Sequence, residues 1–223
     1  MTKGYLWSLM LKSIVAKGLG VSHVSASSKF NVFKALWMEA QACRICPDLA
    51  DRTAVLSELN GSLAPKVFFV GEAPGRAGAD RTRRPFTGDK SGENLQILFD
   101  SIGLSRDDVF LTSAVMCSPR SATDANRKPT RAEIRNCSSY LRRLLELIDP
   151  PLVATLGAVG LDSLKLIEPH SFTLKAHGGT IQHWNGRVLV PLYHPSPLVI
   201  ASQRGLEIQL AHFQTLKQAI ENC

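Results

Sequence analysis

The chain lacks any apolar run of the roughly 18 residues that a bilayer-spanning helix needs. The stretch from Tyr5 to Val21 is broken by Lys12 and Lys17, so no membrane partner is expected. Acidic residues are missing from the first 38 positions, which hold Lys3, Lys12, Lys17, Lys29 and Lys34 but no arginine. Transit peptides and basic arms share such a composition, and the missing arginines weigh against transit. A cytoplasmic location at the nucleoid is expected, with an organelle as the alternative. The phosphate-binding string Gly-x-x-x-x-Gly-Lys-[Ser/Thr] is also absent: Gly88-Asp89-Lys90-Ser91 lacks its Gly-Lys pair. Nucleotide hydrolysis is therefore disfavoured.

What is present suits a folded domain. The 223 residues are 44% hydrophobic, enough for a full core. The expected division is a basic extension over residues 1–35 and a single domain over 36–223, monomeric. A net charge of +7 favours a polyanionic partner, although charge alone is weak evidence.

Apolar periodicity gives the order of elements. Phe30, Phe33, Leu36 and Trp37 recur at helical spacing. Lys66 to Val70 is an apolar strand running into a glycine-rich loop, and Leu95 to Ile102 marks a helix. Val109 to Val115 is a second strand. Thr130 and Glu133 form a capping box opening a helix to Ile148, and Leu152 to Leu156 is a third strand. A hairpin turns at Asn185-Gly186 into an apolar strand, Val188 to Tyr193, and Leu206 to Ile220 closes the chain as a helix. Strands alternating with helices predict an α/β fold, a three-layer αβα sandwich with a mostly parallel four-stranded sheet. Ligands then bind beyond the carboxyl ends of the strands.

Four cysteines break the pattern of an ordinary core. Cys43 and Cys46 form one close pair, 70 residues separate Cys46 from Cys117, and 19 separate Cys117 from Cys137. Simple packing of buried thiols is one reading. Zinc ranks lower because a ribbon carries two close pairs, and disulfides rank lowest because no cleavable secretory signal is legible. Four thiolates also suit a cubane iron-sulfur cluster joining the start of the domain to its middle. Cys223 is read as a bystander.

Three loops carry candidate chemistry. Residues 71–92 hold five glycines, two prolines and several arginines, a backbone able to approach an anion closely. Cys117 to Pro129 sets Asn126 among Arg120, Arg127 and Lys128. Tyr193-His194-Pro195-Ser196-Pro197 places a histidine at a strand end, where it would donate a hydrogen bond to a carbonyl or phosphate.

Gly71 to Gly75 with Arg84-Pro85-Phe86-Thr87-Gly88, then His194-Pro195-Ser196, together with the four cysteines in order, resemble the iron-sulfur uracil-DNA glycosylases of family 4 (type a) and family 5 (type b). The resemblance spans about residues 40 to 220. It implies removal of uracil, and of other deaminated bases, from DNA to leave an abasic site, with a structural 4Fe-4S cluster on Cys43, Cys46, Cys117 and Cys137. It implies that Phe86 stacks on the flipped base. Glu72 would position water near the sugar, with Asp80 a second candidate, and His194 would face the uracil O2. Asn126 falls near the type b catalytic asparagine. Gly71, Ala73, Pro74, Gly75, Ser113, His177 and Ser196 complete the substrate-binding set. Ser113 stands where type a enzymes carry an asparagine, so Glu72 points to type a while Ser113 and Ala176-His177-Gly178 point to type b. Arg81, Arg83, Arg84, Arg120, Arg127 and Lys128 are the expected phosphate contacts. The competing classes are a non-catalytic iron-sulfur nucleic-acid binder and an iron-sulfur redox protein.

Overall fold

The computed structural model describes residues 26–202 and 205–223. Lys3, Lys12 and Lys17, and most of the segment read as a basic extension or transit peptide, lie outside the described residues. The apolar string Val67–Gly71 forms β1, buried at every position. It is flanked in parallel by β2 (Val109–Ser113) and β3 (Leu152–Leu156), and β3 pairs in parallel with β5 (Arg187–Leu192).

These four parallel strands match the expectation, but the sheet has five, in the order β2-β1-β3-β5-β4. Asn185 and Gly186 take φ of 50° and 71°, the left-handed pair of a tight hairpin turn. That turn folds β4 (Gln182–Trp184) antiparallel onto the outer edge of β5.

Alternation along each strand divides the core into two. Phe68, Val70, Phe110, Val153 and Leu189 share one cluster with α1 (Ala26–Ala42), α4 (Arg131–Ile148) and α5 (Ala158–Leu164). Val67, Phe69, Leu111, Ala154 and Val190 share the other with α3 (Lys90–Asp100) and α8 (Leu206–Glu221). Apolar residues on both faces explain why the strands read as continuous runs rather than alternating ones. Three short helices, α2 (Ala79–Thr82), α6 (Leu174–His177) and α7 (Pro197–Ile200), lie within the connections. No described helix is long and apolar enough to cross a membrane.

The domain boundary expected at residue 36 moves upstream. α1 runs unbroken through it, and Phe33 is only 1% exposed within the core. The capping box opens α4 as its sequence demands: Thr130 Oγ1 accepts from Glu133 N at 3.2 Å and Glu133 Oε2 accepts from Thr130 N at 2.7 Å. At the other end Lys29 Nζ donates to Ile148 O at 3.0 Å, tying α1 to the last turn of α4.

Leu144 on α4 is fully buried against this layer. Leu144→Ala is expected to lower the unfolding free energy by about 3 kcal/mol, measured by urea titration. A loss below about 1 kcal/mol would contradict the tight packing of α4 on the sheet.

Candidate active site

Because β1, β2, β3 and β5 run parallel, their carboxyl ends open on one edge of the sheet, and the loops leaving them meet there. Gly71 and Ser113 are register partners at the ends of β1 and β2. The Phe86 ring lies against Gly71, where a Cβ would stand 3.2 Å from Cζ. His194 lies against Gly157 in the same way, with 3.3 Å between a would-be Cβ and its own Cβ. The two rings face each other at 5.7 Å between centroids, tilted by 38°. Side chains at Gly71 or Gly157 would crowd this pair, and Gly157 also holds a φ of 95°.

Gly75 forms a second meeting point. Asp89 Oδ2 would be 3.2 Å and Asn126 Nδ2 3.7 Å from a Cβ placed there. Asn126 Oδ1 accepts from Arg76 N at 2.9 Å, a bond that fixes the amide with its Nδ2 donor toward Gly75. Asn126 reaches this position on a small hairpin: Arg120 and Asn126 are bridge partners, and Ser121 N donates to Ala125 O at 2.8 Å.

The electrostatics of two residues set what this ring of loops can do. Burial raises the Glu72 carboxyl above the usual carboxylate range, against a smaller opposite pull from the Lys128 ammonium. Burial pushes His194 down to about 4, against a weaker upward pull from Asp89. His194 is therefore neutral near pH 7 and able to donate a hydrogen bond without carrying charge. Its loop is pinned from behind, since buried Asn94 donates from Nδ2 to Pro195 O at 2.8 Å.

Several expected residues serve the scaffold instead. Asp80 accepts from Arg83 at Oδ1, 3.1 Å away, and from Arg120 at Oδ2, so both of its oxygens are engaged by guanidinium groups. Arg83 also donates to the carbonyls of Thr53 and Ala54 at 2.9 and 2.6 Å. Arg120 bridges Asp80 and Asp124, and Arg127 grips Glu133 with two bonds of 2.9 and 2.6 Å. These three arginines are internal struts, not free phosphate contacts. Arg81 donates to Ala77 O and Gly88 O at 2.9 and 3.2 Å. Arg84 and Lys128 are exposed. The contacts of His177 run to Thr173 and Phe172, not to Phe86 or His194. Ser196 stands at the N-cap position of α7 with no side-chain capping bond, while Ala73 and Pro74 lie in the first loop beside Glu72.

Sequence reasoning missed Asp89, Asn94 and Leu198. Asp89 was legible as a helix cap, its Oδ1 accepting from Gly92 N at 3.0 Å, but the placement of its second oxygen is tertiary. Leu198, following His-Pro-Ser-Pro, is 84% exposed, an unusual position for a large apolar side chain this close to a site. An open depression of about 330 Å³ is lined by Arg84, Phe86, Thr87, Asp89, Glu93 and Arg106 among others. Glu72, Asn126 and His194 do not line it, so the convergence of loops, rather than cavity size, defines the site.

Cys43, Cys46, Cys117 and Cys137 come together from three separate segments to line one small cavity. Burial first, then the neighbouring thiols, raise Cys117 to about 12, and burial raises Cys137 to about 11. Asn136 Nδ2 donates to Cys46 Sγ at 3.4 Å, and Tyr140 is hydrogen-bonded to Cys43. No three His, Cys, Asp or Glu side chains among the described residues are arranged to hold a single metal ion. A multi-iron cluster differs in taking each thiolate on a separate iron. Four sulfurs around one largely apolar cavity, two of them with outer hydrogen bonds, fit such a group.

A family model described as the uracil DNA glycosylase superfamily matches residues 60–221. The chain belongs to the uracil-DNA glycosylase superfamily. It is similar to a type-4 uracil-DNA glycosylase of Thermotoga maritima, 35% identical over 157 residues, 70% of this chain and 78% of the relative. A type-5 uracil-DNA glycosylase of Pyrobaculum aerophilum is 38% identical over 158 residues, 65% and 67% of the two chains. A type-4 uracil-DNA glycosylase of Archaeoglobus fulgidus is 32% identical over 170 residues, 74% and 82%. Relatives of both types thus match this superfamily member at similar identity. The segments after Gly71 and around His194 leave the carboxyl ends of β1 and β5, at the same sheet edge.

His194 is expected to titrate near pH 4 in histidine NMR spectra of the folded protein. Its depressed value means that the unfolded chain, at about 6.5, binds the extra proton first. Its contribution therefore lowers stability as pH falls from about 6.5 toward 4. A midpoint at 6 or above would contradict the burial of the ring.

Cys137→Ser is expected to lower the melting temperature and reduce folded yield before it alters any reaction step. Folded yield and melting temperature equal to those of the unaltered chain would contradict a scaffolding role for the four thiols.

Proposed function

We propose that this protein hydrolyses the N-glycosidic bond of uracil in DNA, leaving an abasic site for base-excision repair. The observation that carries the reading is the Phe86–His194 ring pair, 5.7 Å apart over a glycine floor, inside a chain of the uracil-DNA glycosylase superfamily. A base inside a duplex cannot reach such a recess, so the target nucleotide is flipped out at a cost of a few kcal/mol. Phe86 stacks on the extruded base, a contact worth about 1 to 3 kcal/mol. Exposed Leu198 is suited to fill the gap left in the stack, as apolar wedges do.

Cleavage draws electrons onto the departing base and leaves positive character on the sugar. Neutral His194 donates a hydrogen bond to the uracil O2 and stabilises the developing anion without first having to lose a proton. Glu72, as carboxylate, stabilises the sugar cation and orients the attacking water, whose proton it accepts. Asn126 contributes its Nδ2 donor, since its oxygen is engaged by Arg76 N. Ser113 offers the base edge fewer directed contacts than an amide would, which extends the substrate range to other deaminated bases. Arg84 and Lys128 provide the sequence-independent attraction to phosphate.

Cys43, Cys46, Cys117 and Cys137 are assigned to a 4Fe-4S cluster. When bound, the group supplies a covalent tie between α1, the loop after β2 and α4, and no step of the reaction passes through it.

Incubated with a uracil-containing single-stranded oligonucleotide, the protein is expected to yield alkali-labile abasic product. Glu72→Gln is expected to lower the single-turnover rate by about 100-fold or more. The wild-type rate should rise with pH as Glu72 ionises, above the ordinary carboxylate range, with no second inflection near 6.5. No abasic product at any pH would sink the proposal.

A further inference from the structure

Phe86 holds a φ of 49°. A bulky residue adopts this left-handed conformation only where its surroundings over-determine it. Three neighbours do so here. Gly71 lies under the ring, and Gly92 leaves room for the Phe86 carbonyl, which any side chain at that position would strike. The third is Arg106, in the single 3-10 turn that precedes β2. Its Nη1 donates to Pro85 O at 2.8 Å and its Nη2 to Phe86 O at 2.5 Å. Two successive carbonyls turned toward one point repel each other unless a cation with paired donors stands between them. The planar guanidinium fork matches that need, and a lysine ammonium, a single point charge, does not.

The charge of Arg106 has no other evident employment. It is half-buried, it forms no ion pair among the described residues, and the neighbouring charge it feels is Arg84, which is repulsive. With no carboxylate paired to it among the described residues, its use lies in the geometry it imposes on the two carbonyls it holds.

We propose that Arg106 is a positioning residue for the stacking aromatic: its fork holds the Pro85–Phe86 turn in the left-handed form that lays the Phe86 ring over Gly71 and beside His194. This rests on the reading of Phe86 as the platform for the flipped base. Arg106 touches neither base nor sugar and acts only through Phe86.

The test is a double-mutant cycle read by single-turnover excision from a uracil-containing single-stranded oligonucleotide, using Phe86→Ala, Arg106→Met and the pair. Arg106→Met is expected to lower the maximal rate by about tenfold or more. In the Phe86→Ala background it should cost no more than about twofold, because there is no ring left to position. Arg106→Lys, which keeps the charge and loses the fork, should fall close to Arg106→Met, and it carries the same cycle if the methionine variant does not fold. Losses that simply multiply in the double variant would overturn the clamp while leaving Phe86 its role. An unchanged rate in Phe86→Ala would overturn the stacking reading itself, and the clamp with it.

Discussion

Parallel strands buried on both faces must return through helices, so every strand-to-helix connection leaves the same edge of the sheet. Everything chemical in this protein follows from that constraint. β1, β2, β3 and β5 each deliver one loop to the edge, and the loops carry Glu72, Asn126, Gly157 and His194 in turn. Loops rich in glycine and charge have little core of their own to hold them. They are held here by guanidinium struts: Arg83 on the carbonyls of Thr53 and Ala54, Arg120 between Asp80 and Asp124, Arg127 on Glu133, and Arg106 under Phe86. Much of the positive charge that points toward DNA in the sequence is thus engaged inside the molecule.

Burial acts on the two central ionisable groups in opposite senses, as it must for an acid and a base. It removes the charge from His194 and makes the charge on Glu72 harder to form. On the proposed reading, a neutral donor beside the base and a carboxylate beside the sugar form the pair that a dissociating N-glycosidic bond needs. Lys128 offsets part of the penalty on Glu72, which gives the loop after β2 an electrostatic as well as a steric part in the site.

The fold was legible because it is written in local pattern. The runs at Val67 and Leu152, the Thr130–Glu133 capping box and the Asn185-Gly186 turn each state their structure within a few residues. The fifth strand was legible as half of a hairpin, but not as a member of the sheet, because edge pairing is a tertiary fact. The site was legible where motif residues sit at strand ends, as Gly71 and His194 do. It was not legible where identity leaves the partner open. An arginine in a loop reads the same whether it faces phosphate or Glu133, and Asp80 reads the same whether it faces water or Arg120. Arg106 and Asn94 carry no sequence signal at all, since both act through backbone carbonyls of other segments.

The cysteines belong to this scaffold rather than to the chemistry. Their cavity joins the end of α1, the loop after β2 and the body of α4, and so it fixes the root of the hairpin that carries Asn126. The most direct measurement is a crystal structure of the complex with uracil and abasic DNA. Uracil stacked on Phe86, with its O2 within hydrogen-bond distance of His194 and the abasic sugar facing Glu72, is the predicted result. Uracil bound in the depression beside Arg84 and Glu93, with Phe86 and His194 untouched, would contradict the account.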